Sequence, residues 1–275
     1  MSTFYVITFL LFLAATYLAT QQFISIFEEG KVLVKNYKGV LIPQGIGIIF
    51  PIFYLAWSAL FGLIFGKFPM DIFLILLAVF SASFIGFIDD MLGARNVLGF
   101  KGHFGKLLQG KLTTGGLKAI SGLLAAFVIS AVIAPDAIFE VILNTLVIAL
   151  FTNLFNLLDL RPGRSIKFFL ILFIVFLLGL AFGQKLSYGL PYLPLVGIIL
   201  GYFPYDLSAK CMMGDAGSNV IGMSMGILAA SAFEVYTKIL ILILLIAVHI
   251  YTEKYSLTDL INKNRFLSFL DELGR

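Results

Sequence analysis

Long apolar segments alternate with short polar ones along nearly the whole chain. Most of the apolar segments approach or exceed the roughly 20 residues that a membrane-spanning helix needs. We therefore expect an all-α, polytopic membrane helix bundle, with a membrane domain over residues 1–251 and an amphipathic tail over residues 252–275. The pattern predicts nine spans, which lie near residues 3–27, 40–66, 70–88, 114–134, 137–158, 166–183, 190–205, 217–233 and 237–251.

The distribution of basic residues predicts the orientation of these spans. With alternating directions, one side of the membrane receives 16 of the 19 Lys and Arg residues, and the other side keeps only Lys67, Lys185 and Lys238. Basic loops face the cytosol in most membrane proteins. The N-terminus is therefore expected outside and the tail in the cytosol.

Composition agrees with a multi-pass membrane protein. Hydrophobic residues make up 60% of the 275 residues and charged residues 12%, whereas soluble domains contain about 25% charged residues. The net charge of +4 reflects the basic loops and gives no reason to expect nucleic-acid binding. The single cysteine, Cys211, excludes an intramolecular disulfide.

The tail carries leucines and an isoleucine at near-helical spacing. Ser256 precedes this pattern and Asp259 follows three residues later, as in a capping box. We expect one amphipathic helix at the membrane interface. Binding of a partner is the alternative use of this segment.

Acidic side chains stand at the predicted cytosolic ends of three spans. Asp89 and Asp90 end the third span, Asp159 ends the fifth and Asp215 opens the eighth. Each one could be a solvated helix cap, but adjacent carboxylates are hard to ionise together unless a cation is present. Mg²⁺ takes one or two protein carboxylates and completes its shell with phosphate oxygens and water. The pattern therefore indicates a magnesium–phosphate site.

The segment around Asp215, MGDAGSN, adds a second argument for a phosphate ligand. Gly214 and Gly217 would let the backbone approach a ligand closely, and Ser218 would cap the following helix. The N-terminal amides of that helix would then face the same ligand. A flexible turn that leads into a helix is the alternative.

A row of polar residues runs along the fifth span. Asn153, Asn156 and Asp159 recur at every third position and therefore share one helix face. Such residues either line a site or hydrogen-bond to neighbouring helices. Pro162 is expected to end this helix close to Asp159, because its ring cannot be accommodated in a helix interior.

Two arginines follow this row, at the predicted mouth of the pocket. Arginine forms bidentate hydrogen bonds to phosphate, so either Arg161 or Arg164 could hold a phosphate group. Anchoring of the helix on the cytosolic side is the alternative for both residues.

Four segments, taken in order, resemble the polyprenyl-phosphate N-acetylhexosamine-1-phosphate transferases. They are NYKGVLIPQGIGIIF, GFIDDMLG with GKLLQG, the Asn-x-x-Asn-x-x-Asp row, and MGDAGS. The resemblance implies transfer of a hexosamine-1-phosphate from a UDP-sugar to a polyprenyl phosphate, such as undecaprenyl phosphate, with release of UMP. It also implies a Mg²⁺ cofactor and a cytosolic active site in the cytoplasmic membrane, serving envelope glycans such as peptidoglycan. A homodimer stays open.

The same resemblance implies roles for individual residues. Asp215 and Asp90 would be magnesium ligands, and one residue of the pair Asp89 and Asp90 would deprotonate the lipid phosphate or help to hold the metal. Lys106 would lie near the diphosphate. The nucleotide–sugar pocket would be lined by Asn153, Asn156 and Asp159.

The chain departs from the family pattern at the motifs themselves. Gly93 stands where the family motif Asp-Asp-x-x-Lys has its lysine, and Leu160 and Pro162 replace a glycine and a second acidic residue. We expect Arg161 or Arg164 to replace the missing positive charge. A catalytically altered member that acts as a scaffold, or a membrane transporter, stays an alternative.

Overall fold

The computed structural model describes residues 1–93 and 113–275, and these ranges are almost entirely helical. This confirms the predicted all-α, polytopic helix bundle. The α-helices are α1 (Ser2–Glu29), α2 (Ile49–Phe65), α3 (Met70–Leu92), α4 (Thr114–Ile133), α5 (Ile138–Leu158), α6 (Arg164–Phe182), α7 (Leu193–Leu207), α8 (Asp215–Ala232), α9 (Val235–Thr252), α10 (Leu257–Lys263) and α11 (Arg265–Glu272). Short 3₁₀ segments, Ile46–Ile48 and Leu186–Tyr192, lead into α2 and α7.

Each of the nine predicted spans corresponds to one of the helices α1 to α9. In the described part of the chain, eight helical segments are long and apolar enough to cross a membrane. The exception is α8, which is less apolar because glycine, serine and alanine make up much of its 18 residues. Nearly all of α8 is buried between α3 and α5. A central helix of this kind has no need of lipid-facing side chains.

Small residues let α8 lie very close to its neighbours. A Cβ atom on Gly222 or Gly226 would come within 2.6 Å of the backbone of α5, and one on Gly86 of α3 would lie 2.2 Å from the carbonyl oxygen of Asp215. In lipid, helices associate through close packing and hydrogen bonds, since apolar side chains gain little by leaving the bilayer. These glycines therefore fix the positions of α3, α5 and α8 relative to one another.

The predicted start of the second span, residue 40, is wrong. Residues Leu33–Lys35 (β1) and Leu41–Pro43 (β2) form an antiparallel hairpin, and α2 begins only at Ile49. The side-chain oxygen of Asn36 accepts hydrogen bonds from the backbone of Lys38 and Val40 and so stabilises the turn. The apolar residues of β2 belong to a partly buried strand, which hydropathy alone does not distinguish from the start of a membrane helix.

The hairpin leads directly into the loop before α8. The backbone N–H of Met212 donates to the carbonyl of Pro43, and the carbonyl of Met212 accepts from Gly45 and Ile46. Gly47 donates in turn to Met213. The entries to α2 and α8 are therefore held together by backbone hydrogen bonds.

The tail forms two short helices, so the prediction of one helix is wrong. Ser256 caps α10 by accepting a hydrogen bond from the backbone of Asp259, which confirms the predicted cap. Asn264 then interrupts the pattern, and its side chain accepts from Phe266 and Leu267 at the start of α11. Asparagine competes well for such cap positions, which explains the break.

The close contact between α3 and α8 gives a stability prediction. Replacing Gly86 by alanine places a methyl group against the backbone of Asp215, so we expect a loss of about 1–3 kcal/mol and a lower melting temperature in detergent. The matched control is Gly122→Ala in α4, where a Cβ meets nothing within 4 Å. That change should be neutral or slightly stabilising. Equal melting temperatures for the two variants would contradict the packing.

Candidate functional site

The predicted acidic residues of α3 and α8 meet at one end of the bundle. Helix α3 continues to Leu92, past the predicted end at residue 88, so Asp89 and Asp90 both lie on its last turn. Asp215 is the first residue of α8. Because successive residues of a helix point in different directions, Asp89 and Asp90 have different partners.

Asp90 caps the N-terminus of α8 from outside that helix. Its Oδ1 atom accepts from the backbone N–H of Asp215 at 3.0 Å and its Oδ2 atom from that of Ala216 at 3.0 Å. Gln44 donates a third hydrogen bond to Oδ1 at 2.7 Å. The N-cap residue itself, Gly214, has no side chain and adopts φ 66°, and a Cβ there would lie 2.4 Å from Asp90. A carboxylate at this position also complements the helix dipole.

Asp89 and Asp215 share a different partner, which is Lys118 on the first turn of α4. The Lys118 ammonium forms an ion pair with Asp215 Oδ2 and lies 3.7 Å from Asp89 Oδ2. The three side chains are 21%, 22% and 23% exposed for Lys118, Asp89 and Asp215. Two carboxylates therefore hold one cationic group at a position that solvent can reach.

These contacts bear on the predicted metal ligands. Asp215 and Asp90 were expected to hold Mg²⁺, but both oxygens of Asp90 already accept hydrogen bonds from the protein. The geometry favours Asp89 as the partner of Asp215. Among the residues that the structure describes, no group of three or more His, Cys, Asp or Glu side chains could hold a metal ion.

Sequence reasoning missed two residues of this cluster, Lys118 and Gln44. Lys118 contributed only to the count of basic residues, although a charged residue inside a membrane helix indicates function by default. Gln44 lay within a segment that was assigned to a span. In both cases the informative signal was a polar side chain at a predicted apolar position.

The position of Gly93 bears on the missing family lysine. A Cβ at Gly93 would lie 2.3 Å from the carbonyl oxygen of Asp89, so this turn has no room for a side chain in its present conformation. Lys118, which lies on α4, places an ammonium group beside the carboxylates of Asp89 and Asp215.

The polar row of α5 ends beside this cluster. The helix stops at Leu158, as Pro162 predicts. Asn153 is exposed, whereas Asn156 donates a long hydrogen bond of 3.4 Å to Asn219 on α8. Asn156 therefore links two helices, and Asn153 is the member of the row that faces open space.

Asp159 follows the last turn of α5. Burial raises the pKa of this carboxyl well above its usual range, and the negative charges of Asp206, Asp215 and Asp90 raise it further. The electrostatic influence of those carboxylates shows that Asp159 belongs to the same acidic region. Its proposed role beside a nucleotide sugar stays a prediction.

The turn over residues 159–163 is held by the bundle beneath it. Asp206 accepts from the backbone N–H of Gly163 at 2.7 Å and from the hydroxyl of Tyr202 at 3.1 Å. Gly163 adopts φ 72°, a conformation that favours glycine. Asp206 was not predicted as a site residue, since it stands alone at the end of an apolar segment.

The two arginines of this region have different surroundings. Arg161 lies with its guanidinium carbon 4.8 Å from the ring centre of Tyr37, beside the hairpin. Arg164 is only 5% exposed and forms an ion pair with Asp271 of the tail. The structure therefore gives no support to Arg164 as a phosphate ligand, because its guanidinium already has protein partners.

The glycine-rich segment at the start of α8 is packed differently from the prediction. A Cβ on Gly217 would lie 3.0 Å from the Cα of Gly47, so Gly217 allows close packing against the entry to α2. Its expected role beside a ligand stays a prediction. Ser218 was expected to cap the helix, and this is wrong. The helix begins three residues earlier, and the buried Ser218 hydroxyl has no hydrogen-bond partner among the described residues.

Lys106 falls in residues 94–112, which lie outside the described residues. Its expected place near the diphosphate stays a prediction.

The fold and the site together define a class of protein. The chain is a polytopic helical membrane protein with an acidic cluster and a lysine at the ends of three of its helices. The model of glycosyl transferase family 4 matches residues 72–233, which is more than half of the chain and includes Asp89, Asp90 and Asp215. The chain belongs to this family and is therefore a glycosyl or sugar-phosphate transferase. A comparison with individually curated proteins gives no significant match.

The different partners of the adjacent aspartates give a second prediction. In Asp90→Asn the amide nitrogen cannot accept a hydrogen bond, so one backbone N–H of α8 loses its partner at a cost of roughly 1–3 kcal/mol. We expect a lower melting temperature for the purified protein. Asp89→Asn is the matched control and should melt close to wild type, because it removes one of two like charges beside Lys118. A reversed order of melting temperatures would contradict the assignment.

Proposed function

We propose that this protein transfers an N-acetylhexosamine-1-phosphate from a UDP-sugar to a polyprenyl phosphate, with release of UMP, in the cytoplasmic membrane. The observation that supports this most is the cluster of Asp89, Asp215 and Lys118 at the ends of three helices in a family 4 chain. Both substrates are anionic phosphates. A partly exposed site that combines carboxylates with a cation suits such substrates, because it can hold a further cation and balance their charge.

Mg²⁺ is the proposed cofactor, and the donor set fits this ion. Asp89 and Asp215 offer hard oxygen ligands around one cation position. Mg²⁺ is commonly bound by one or two carboxylates, with substrate phosphates and water as its other ligands. The ion would neutralise charge on the diphosphate, and Asp89 and Asp215 would be the residues that hold it.

The proposed reaction exchanges one phosphorus–oxygen bond for another. An oxygen of the lipid phosphate forms a bond to the β-phosphorus of the UDP-sugar, and the bond from that phosphorus to the oxygen of UMP breaks. Asp89 would accept a proton from the lipid phosphate where that phosphate carries one, since Asp90 is occupied by the N-terminus of α8. Lys118 would bind the diphosphate from the side of α4.

The remaining pocket residues would bind the nucleotide sugar. Asn153 presents an exposed amide, and Asp159 lies at the end of the same helix. Arg161, whose guanidinium lies near the ring of Tyr37, is the arginine proposed to contact a phosphate of either substrate. A guanidinium group offers several N–H donors to a phosphate.

The central experiment measures transfer by the purified protein. Wild type in detergent, supplied with undecaprenyl phosphate, Mg²⁺ and a panel of UDP-sugars, should release UMP. Asp215→Asn should reduce this release by roughly a hundredfold or more, because an electrostatic contact of the transition state is lost. The control is Asp136→Asn, an exposed aspartate between α4 and α5 at the other end of the bundle.

Two results would contradict the proposal. One is wild-type protein that melts cooperatively but releases no UMP with any sugar of the panel, which would favour a scaffold. The other is an Asp215→Asn variant that keeps its rate, which would remove Asp215 from the site.

The contact of Lys118 with both carboxylates gives a prediction about metal affinity. In Lys118→Met the ammonium no longer competes for Asp89 and Asp215, so Mg²⁺ should bind more tightly when substrate is absent. We expect a gain of roughly three- to tenfold, because a partly exposed ion pair is worth about 1 kcal/mol. Transfer activity should fall at the same time.

Isothermal titration calorimetry with Mg²⁺ measures this affinity directly. The control is Lys185→Met, which removes an exposed lysine that pairs with Glu234 at the opposite end of the bundle. Unchanged or weaker magnesium binding in Lys118→Met would show that the lysine and the metal do not share one position.

A further inference from the structure

The tail lies at the level where spanning helices end. Helix α9 ends at Thr252 and α10 begins at Leu257, so only four residues separate α10 from the end of a spanning helix. Asp271 of α11 bonds to Arg164, the first residue of α6, and Arg275, which follows α11, bonds to Pro162 in the turn over residues 159–163. This turn joins the ends of two spans, α5 and α6. The tail is therefore placed at the boundary of the bilayer.

One buried carboxylate ties the tail to the bundle. Asp271 accepts hydrogen bonds from Nε and Nη2 of Arg164 at 2.7 and 2.9 Å, which is a bidentate pair. Arg275 donates two further hydrogen bonds to the same carboxylate at 2.8 and 3.1 Å. The remaining Nη1 of Arg164 donates to Thr258 of α10 at 2.9 Å. Bidentate pairs of this kind are strong and specific in geometry.

Lys167 and Arg275 also donate to backbone carbonyls, and we call these contacts together with those of Asp271 the latch. Lys167 of α6 donates to the carbonyl oxygens of Leu270, Asp271 and Leu273, where a cation complements the C-terminus of α11. Arg275 donates through Nε to the carbonyl of Pro162 at 2.8 Å. The tail is thus bonded to the turn itself as well as to α6.

The latch stays charged at neutral pH. Burial of Asp271 opposes ionisation, but the hydrogen bonds from Arg164 and Arg275 outweigh it and hold the pKa of the carboxyl below its usual range. A lowered pKa in the folded state stabilises the fold above the unfolded value of about 4, and this contribution is lost as the pH falls through the folded value.

On the opposite side of α11 lies an apolar face that stays exposed among the residues the structure describes. Phe266 and Phe269 are 68% and 62% exposed, and their spacing of three places them on one side of the helix. Leu273, which directly follows the helix, is 53% exposed. The tail, residues 252–275, carries four basic residues, Lys254, Lys263, Arg265 and Arg275, against four acidic ones, Glu253, Asp259, Asp271 and Glu272. With a balanced charge, attraction to anionic lipid contributes little to its placement.

We propose that the apolar face formed by Phe266 and Phe269 of α11, together with the following Leu273, inserts among the lipids at the membrane interface, and that Asp271, through Arg164 and Arg275, holds the turn over residues 159–163 in place. Lipid is the occupant because the helix is latched beside the ends of two spanning helices, where an exposed apolar side chain meets the bilayer. The second half of this proposal rests on the proposed function. The turn carries both Asp159 and Arg161, so Asp271 acts as a positioning residue for the nucleotide–sugar pocket.

The insertion is tested with a tryptophan on each side of α11. Phe269→Trp is reconstituted in nanodiscs that hold one copy of the protein in phosphatidylcholine with brominated acyl chains. We expect blue-shifted emission and quenching by bromine. Leu267→Trp, two residues earlier and therefore on the other side of the same helix, is the matched control and should be quenched much less by bromine. The only native tryptophan, Trp57, is fully buried and gives a constant background.

Two outcomes would overturn the insertion. The first is equal emission and quenching for the two variants. The second is a blue shift that appears in proteoliposomes at high protein density but not in single-copy nanodiscs, since the apolar face would then contact a second copy of the chain.

The positioning role is tested with Asp271→Asn, with Asp259→Asn as the matched control at an exposed position of the tail. We expect Asp271→Asn in proteoliposomes to be cleaved by trypsin after Lys263 and Arg265 at least tenfold faster than wild type. It should also raise KM for the UDP-sugar several-fold with kcat nearly retained, because the nucleotide pocket loosens while Asp89 and Asp215 keep their places. Asp259→Asn should match wild type in both measurements.

The outcomes separate the latch from the proposed reaction. A released tail with unchanged KM would overturn the positioning role, and an unreleased tail would overturn the latch. Absence of transfer by wild type would refute the proposed function, whereas the fluorescence and proteolysis results would still decide the placement of the tail.

Discussion

The N-terminus of α8 is the point on which the arrangement of the site depends. The first backbone N–H groups of a helix have no partner within the helix, and near the interior of a membrane protein water is scarce. Asp90 satisfies two of these groups with its two oxygens. Because the carboxylate belongs to α3, this contact requires the ends of α3 and α8 to lie together, and Gly86 and Gly214 provide the space.

Because of this cap, the two neighbouring aspartates have different contacts. Asp90 is held by the backbone of α8, so the next carboxylate along the helix, Asp89, points toward α4 and meets Lys118 together with Asp215. The chemistry proposed for the site therefore depends on a structural contact one residue away. In this chain one of the two adjacent acids thus caps α8, and the other is available for the proposed substrates.

Hydropathy predicts the bundle well, because length and apolarity are the physical requirements of a membrane span. All nine predicted spans correspond to helices, and the largest error falls at residues 40–48, where a partly buried strand and a 3₁₀ turn are as apolar as a helix. The acidic cluster could also be predicted, since several carboxylates stand at the same end of apolar helices and two of them are adjacent. Adjacent carboxylates are hard to ionise together unless a cation is present. Pro162 predicted the end of α5, because a proline ring cannot be accommodated in a helix interior.

Partners across the fold could not be predicted from local pattern. Nothing around Ser218 indicates that the cap of α8 comes from Asp90, which lies more than 100 residues earlier in the chain. Arg164 has the surroundings of a phosphate ligand in the sequence, but the residue that it binds, Asp271, is separated from it by four spans. Long-range ion pairs follow from tertiary packing, which a single sequence does not display.

At each of the two departures from the family pattern, other residues of this chain supply a charge or a contact. Gly93 leaves no room for a side chain, and Lys118 brings an ammonium group to the same carboxylates from α4. The altered turn after Asp159 lacks the family's second acidic residue, yet it is fixed from below by Asp206 and from the side by Arg275. A turn held from two directions keeps its shape when its own sequence changes, so these departures alone are a weak argument for a loss of activity.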